Sequence, residues 1–195
     1  MRALSLPLML VSGLFLSACE TNPKAPALAE TTYEQALNNP FNAVNYNAVG
    51  ELMKRYQGPA SASNTVGSVS GAPFIVTTLV NIDQLEQSST LGRLISEQVT
   101  SRMAQMGFGV VELKVRNGVY MKRNEGEFLL TREIKEVASA HKAQAVIVGT
   151  YAESSALIYV SLKLVNPANS MILAAHDYAL PMDRQIRSML RKGAY

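Results

Sequence analysis

The chain has 195 residues, 48% of them apolar, a formal net charge of +3 and a single cysteine. That length suits one domain with tails, and so small a charge excess disfavours a nucleic-acid binder. One Cys cannot close a disulfide on itself, so packing must supply the stability, and the absence of Trp disfavours a sugar-stacking site.

Residues 1–18 read as an export signal: Arg2 beside the free amine, an apolar run over 3–16, then small residues at a cleavage point. The run contains Pro7, Ser12 and Gly13. It is shorter than the about 20 apolar residues that a bilayer span needs, so it is expected to be removed. Leu16-Ser17-Ala18-Cys19 resembles the bacterial lipobox, and Cys19 is the one cysteine of the chain. The resemblance implies cleavage between Ala18 and Cys19, S-diacylglycerol on the Cys19 sulfur and an N-acyl chain, such as palmitate, on the new amine. Each buried methylene contributes about 0.8 kcal/mol and one chain holds a protein only marginally. Three chains would make release negligible. Glu20, not Asp, follows the Cys, which by the same resemblance implies the periplasmic side of the outer membrane. A generic secretory signal with a chance Cys is the alternative.

Residues 19–41 hold Pro23, Pro26 and Pro40 and little periodicity, the composition of a tether. A first helix is predicted within 42–57, with Asn42 as N-cap and Ala48, Val49, Leu52, Met53 and Tyr56 on one face. Residues 58–72 are rich in Ser, Ala and Gly and read as a flexible linker. With that linker behind it, the helix is a candidate to pack on another copy, although folding back on its own core is the favoured reading.

The domain proper is placed at 73–182. Residues 74–80 form an apolar, β-branched run, hence a central strand. Ser89 is placed as the cap of a helix over 90–106, with Leu91, Leu94, Ile95, Val99, Met103 and Met106 as its apolar stripe. Gly107 stands at its C′ position, and Gly92 permits close approach to the sheet. A strand over 110–115 follows, then a small hairpin over 119–130. Thr131 is expected to cap a second helix whose face is Ile134, Val137, Ala138 and His141. Strands over 145–151, 157–165 and 171–180 follow, the last two joined tightly enough for an antiparallel meander. Asp183 caps a helix in 183–195 that opposes Ile186, Met189 and Leu190 to Arg184, Arg187 and Arg191. The expected fold class is α/β (α+β), with a mixed five-stranded sheet, two helices packed on it and a β-α-β-α-β-β-β core. An N-terminal and a C-terminal helix are added, and the 74–80 strand lies between the 110–115 and 145–151 strands.

Little in the chain suggests bond-making. The two histidines, His141 and His176, lack a Ser, Asp or Gly-rich setting for a relay. No His-x-His, second Cys or tight acid cluster suggests a metal, and Gly107-Phe108-Gly109 precedes a strand, the wrong order for a phosphate loop. No catalytic residue, metal or cofactor is expected, and no enzyme. Lys114, Arg116, Lys122 and Arg123 gather basic charge around the hairpin, read as a solvated surface before an anion site. The last helix has too few apolar residues to rest on lipid and is expected to dock on its own domain.

Five blocks in order carry a wider resemblance. They are Phe74-Ile75-Val76-Thr77-Thr78-Leu79-Val80-Asn81, Leu91-Gly92-Arg93-Leu94-Ile95-Ser96-Glu97-Gln98, Gly107-Phe108-Gly109-Val110-Val111-Glu112-Leu113, Gly126-Glu127-Phe128-Leu129-Leu130-Thr131-Arg132-Glu133 and Ala145-Val146-Ile147-Val148-Gly149-Thr150-Tyr151. With the lipobox, they resemble the FlgO family of flagellar outer-membrane lipoproteins. The resemblance implies a non-enzymatic part of the flagellar apparatus, needed for a stable flagellum and for motility. Its implied partners are outer-membrane lipid, an FlgP-like lipoprotein, ring components at the flagellar base and further copies in a homo-oligomeric ring. A generic lipoprotein scaffold, a curli-type secretion lipoprotein and a lipid-anchored enzyme are the alternatives. The curli type would need amphipathic hairpins longer than any here.

Overall fold

A computed structural model describes residues 32–34, 38–56, 71–85, 88–113 and 132–190. The apolar, β-branched runs pair into one mixed sheet: β1 (Phe74–Thr77), β2 (Val80–Asn81), β3 (Val110–Leu113), β4 (Ala145–Glu153), β5 (Leu157–Val165) and β6 (Ile172–Pro181). The order is β3-β1-β4-β5-β6, with β2 also paired to β4. β3, β1 and β4 are parallel, and β4, β5 and β6 form an antiparallel meander. The 74–77 strand therefore lies where the sequence places it.

Six strands replace the expected five because the 74–80 run breaks at Thr78 and Leu79. The reason is local. The Leu79 N–H donates to Ser96 Oγ at 2.8 Å, and its carbonyl accepts from Ser88 Oγ at 3.0 Å. Hydroxyls just before and within the following helix take the two groups that a strand would have offered to its neighbours. That helix, α2 (Thr90–Gln105), follows α1 (Phe41–Lys54) and precedes α3 (Arg132–Ala140) and α4 (Arg184–Leu190).

Alternate residues of a strand point to opposite faces, and the core divides accordingly. Phe74, Val76, Ile147, Val160 and Leu162 meet Val49 and Leu52 of α1, Ile95 and Val99 of α2 and Ile186 of α4 on one face. Ile75, Val146, Val148 and Val165 meet Ile134 and Ala138 of α3 on the other. The two expected sheet-packing helices, α2 and α3, thus sit on opposite faces. The N-terminal helix α1 folds back on its own sheet, with Ala48, Val49, Leu52 and Met53 buried there. The C-terminal helix α4 docks on the same face.

Caps explain the helix ends. Ser89 Oγ accepts from Gly92 N–H at 3.1 Å and starts α2. Gly107, at φ +86°, ends it, with Phe108 N–H on the Met103 carbonyl and Gly107 N–H on the Ala104 carbonyl. Asp183 Oδ1 accepts from Ile186 N–H at 2.8 Å and starts α4. Two expectations fail. Asn42 does not cap α1: Pro40 takes the cap position, and Asn39 Oδ1 accepts the Phe41 N–H at 2.9 Å. His141 does not line the apolar face of α3. The helix ends at Ala140, the chain turns through Lys142 at φ +50°, and His141 is left exposed. The expected hairpin over 119–130 and the Thr131 cap lie outside the described residues.

Candidate functional site: a buried polar relay and an open sheet face

Ala18 and Cys19 lie outside the described residues, as do Lys114, Arg116, Lys122 and Arg123. The two histidines are not brought together. His141 follows α3 on one side of the sheet. His176 sits on β6 and stacks on Tyr178 at 6.2 Å on the other. Among the described residues no group of three His, Cys, Asp or Glu could hold a metal ion, and no helix is long and apolar enough to cross a membrane.

The site the structure does build is a chain of amides and a phenol where α1 meets α2 and β6. Asn45 is fully buried in the apolar face of α1. Its Oδ1 accepts from Tyr178 Oη at 2.6 Å, and its Nδ2 donates to Gln98 Oε1. Gln98 Nε2 in turn donates to Asn42 Oδ1, which frees Asn42 from its expected capping role. At the other end of α1, Tyr56 packs edge-on against Phe74 with ring centroids 5.7 Å apart, and its hydroxyl reaches Gln144 Oε1 at 3.3 Å. Apolar contact is tolerant of small rotations, whereas directed hydrogen bonds are not. The relay therefore fixes how α1 sits, not only that it sits. The sequence held one signal of it: Asn45 falls on the stripe of Phe41, Ala48, Val49 and Leu52, where a polar residue is out of place.

Burial pushes the Tyr178 phenol well above its ordinary range, and it raises Tyr151 and Tyr56 as well. For Tyr151, the Ser89 hydroxyl at 2.8 Å opposes that shift. The sign for stability follows. Folded, these groups hold their protons at a pH where the unfolded chain, titrating near about 10, loses them. Their contribution is complete below about pH 10 and is lost as pH rises through the folded values. Urea midpoints should accordingly fall between about pH 9 and about pH 11, and Tyr178→Phe should flatten that fall. A midpoint unchanged across the range would contradict the burial of these phenols.

Beside α1 an apolar groove of about 500 Å³ opens between Phe41, Val44, Leu94, Leu180, Ile186 and Met189. It explains why Leu94, expected in the stripe of α2, is 37% exposed.

On the opposite face the apolar cluster under α3 stops at Val148 and Val165. Beyond it, cross-strand rows of Ala152, Tyr159 and Ala179, and of Thr150, Ser161 and Asp177, floor a shallow depression of about 460 Å³. Tyr159 is 53% exposed and Ile82 is 45% exposed at its rim. Lys163 stands one row away, where partial burial pulls its ammonium down and Asp177 opposes the shift. Tyr159→Ala should change stability by less than about 0.5 kcal/mol, because an exposed ring between two alanines leaves no cavity. A larger shift of the urea midpoint would mean that this face is covered.

No curated protein sequence matches the chain. Among solved structures, the fold is similar to the C-terminal domain of LpoB from Salmonella enterica. The two are 15% identical, the match covers 73% of this chain and 98% of that one, and the TM-score is 0.47. LpoB from Escherichia coli is 14% identical over 91% of this chain and 82% of that one, with a TM-score of 0.43. Lipoprotein GNA1162 from Neisseria meningitidis is 12% identical over 59% and 84%, with a TM-score of 0.40. By sequence, the FlgO protein family matches residues 46–185, from the first helix through the whole sheet to the last helix, and the chain belongs to that family.

Proposed function

We propose that the protein is a lipid-anchored, non-catalytic structural component of the bacterial flagellar apparatus, held at the periplasmic side of the outer membrane. The observation that carries this reading is the FlgO family match over residues 46–185, from within α1 to the start of α4. Two further features support it. Among the described residues the domain offers two surfaces to a partner, an apolar groove beside α1 and an open sheet face. The Leu16-Ser17-Ala18-Cys19 motif supplies an attachment point upstream of that domain. In this reading residues 1–18 are removed, Cys19 carries an S-diacylglycerol and an N-acyl chain, and the expected tether, up to its last residues Asn39, Pro40 and Phe41 that join the domain, sets the distance between membrane and domain. Partners would be outer-membrane lipid, an FlgP-like lipoprotein and further copies in a ring at the flagellar base.

Deleting the gene should abolish or sharply reduce motility and lower the number of stable flagella, with wild-type protein restoring both. Cys19→Ala should not restore them, and in cell fractions it should leave the outer membrane. A fully motile deletion strain would sink the flagellar reading. A Cys19→Ala protein that still partitions with outer membrane would sink the anchor.

A further inference from the structure

Exposed apolar side chains usually stand singly, yet two large ones, Tyr159 and Ile82, border the same depression on the open half of the sheet. The cross-strand neighbours of Tyr159 are Ala152 and Ala179, which rise too little to shield its ring. The next row on that face is Thr150, Ser161 and Asp177, two hydroxyls and a carboxylate in line. Residues two apart on a strand are separated by about 6.7 Å and neighbouring strands by about 4.8 Å. From Cα to Cα, Ser161 thus lies about 7 Å from Tyr159, and Asp177 about 8 Å. Lys163 stands one row farther, in the field of Asp177. The depression, about 460 Å³, is within the range of small-molecule sites, about 300–1,000 Å³.

A bare aromatic ring beside a carboxylate and hydroxyls is the chemistry that holds a sugar. One face of a pyranose is a patch of C–H hydrogens with slight positive charge, and it settles on the negative face of an aromatic ring. Its rim is hydroxyls, which donate to a carboxylate in short charge-assisted bonds. Both demands are met here within the width of one sugar. Ile82 adds an apolar surface at the rim, where the methyl of an acetamido group would rest. We infer that the open half of the sheet is a binding site for a glycan of N-acetylated hexosamines, with one unit stacked on Tyr159 and its hydroxyls bonded to the Asp177 carboxylate and Ser161 Oγ. Lys163 lies where the next unit would pass and would pair with a carboxylate borne there. The chain has no tryptophan, and Tyr159 supplies the platform that its absence disfavoured. A shallow face admits a polymer along its length, with no chain end required. Neither the lipid anchor nor a ring of copies enters this inference, so it stands or falls apart from the flagellar reading.

The test is saturation-transfer NMR on the full lipoprotein in deuterated detergent, titrated with the linear tetramer of N-acetylglucosamine and, separately, with the matching tetramer of glucose. Saturation should pass to the acetyl methyls and to the ring-face protons of the acetylated tetramer, and the glucose tetramer should bind about tenfold more weakly or worse. Tyr159→Ala should weaken binding about tenfold while its urea midpoint stays at the wild-type value. Tyr159→Phe keeps the platform and should bind within about twofold of wild type. Asp177→Asn should weaken binding about fivefold or more. Tyr33→Ala removes an exposed ring away from the depression and should change nothing. No transfer to the acetylated tetramer, equal binding of the two tetramers, or Tyr159→Ala binding as tightly as wild type would each overturn the inference.

Discussion

Gly92→Val is expected to remove about 3 kcal/mol or more of stability, the largest effect of any single change considered. A Cβ at Gly92 would lie 2.3 Å from the Leu79 carbonyl oxygen and 3.1 Å from Ser88 Oγ. The first obstacle is backbone and cannot swing aside. For the side chain to enter, the start of α2 must lift away, which breaks Ser96 Oγ from Leu79 N–H and Ser88 Oγ from the Leu79 carbonyl. Leu79 would then hold two buried backbone groups without partners, each costing about 1–3 kcal/mol. Against a total stability of about 5–15 kcal/mol, a substantial unfolded fraction should appear at low urea. Gly50→Ala is the matching control. It lies within α1, its Cβ would meet nothing within 4 Å, and alanine should stabilise the helix by about 0.5–1 kcal/mol. Equal urea midpoints for Gly92→Val and wild type would refute the close approach.

Asn45→Ala should cost about 2–3 kcal/mol, since it strands the Tyr178 hydroxyl and the Gln98 carboxamide together. Tyr178→Phe alone should cost less, about 1 kcal/mol, because it removes one hydrogen bond and leaves Asn45 Nδ2 on Gln98 Oε1. Once Asn45 is alanine, removing the hydroxyl should cost little or even help, as it deletes a buried donor that no longer has an acceptor. The double-mutant cycle should therefore show a coupling of about 1 kcal/mol or more. Strict additivity would mean that the 2.6 Å contact contributes nothing to holding α1.

Much of this fold was legible because its elements advertise themselves locally. The Ser89 cap, Gly107 at a left-handed C′ and the Asp183 cap are signals written within a few residues of the ends they mark. The parallel centre and antiparallel flank followed from connection length alone. What stayed hidden is non-local. The break at Thr78 and Leu79 is imposed by Ser88 and Ser96, whose hydroxyls compete for backbone groups that β-propensity alone assigns to a strand. Gly149 reads as an irregularity in a buried run, and its reason is spatial: a Cβ there would meet Leu79 Cγ at 2.5 Å. The seat of α1 was half visible, because Asn45 breaks an apolar stripe, but its partners Gln98 and Tyr178 lie 53 and 133 residues away. The Asn42 cap failed for a simpler reason. A proline two residues earlier fixes the turn, and Asn39 reaches the first free N–H before Asn42 can.

The parallel pairing of β1 with β4 also governs how the chain can reach its native state. β1 is buried along its whole length, yet one of its two neighbours is synthesised about 70 residues later, as the Thr77 hydroxyl on the Ile147 carbonyl illustrates. Until that partner arrives, an apolar ribbon with open hydrogen-bonding edges has nothing to rest on, while the β5–β6 hairpin can close at once from neighbours in sequence. Contacts so distant along the chain slow the search for the native arrangement and lengthen the time a sticky segment is exposed. The heart of the sheet is thus completed late, and its outer hairpin is ready early.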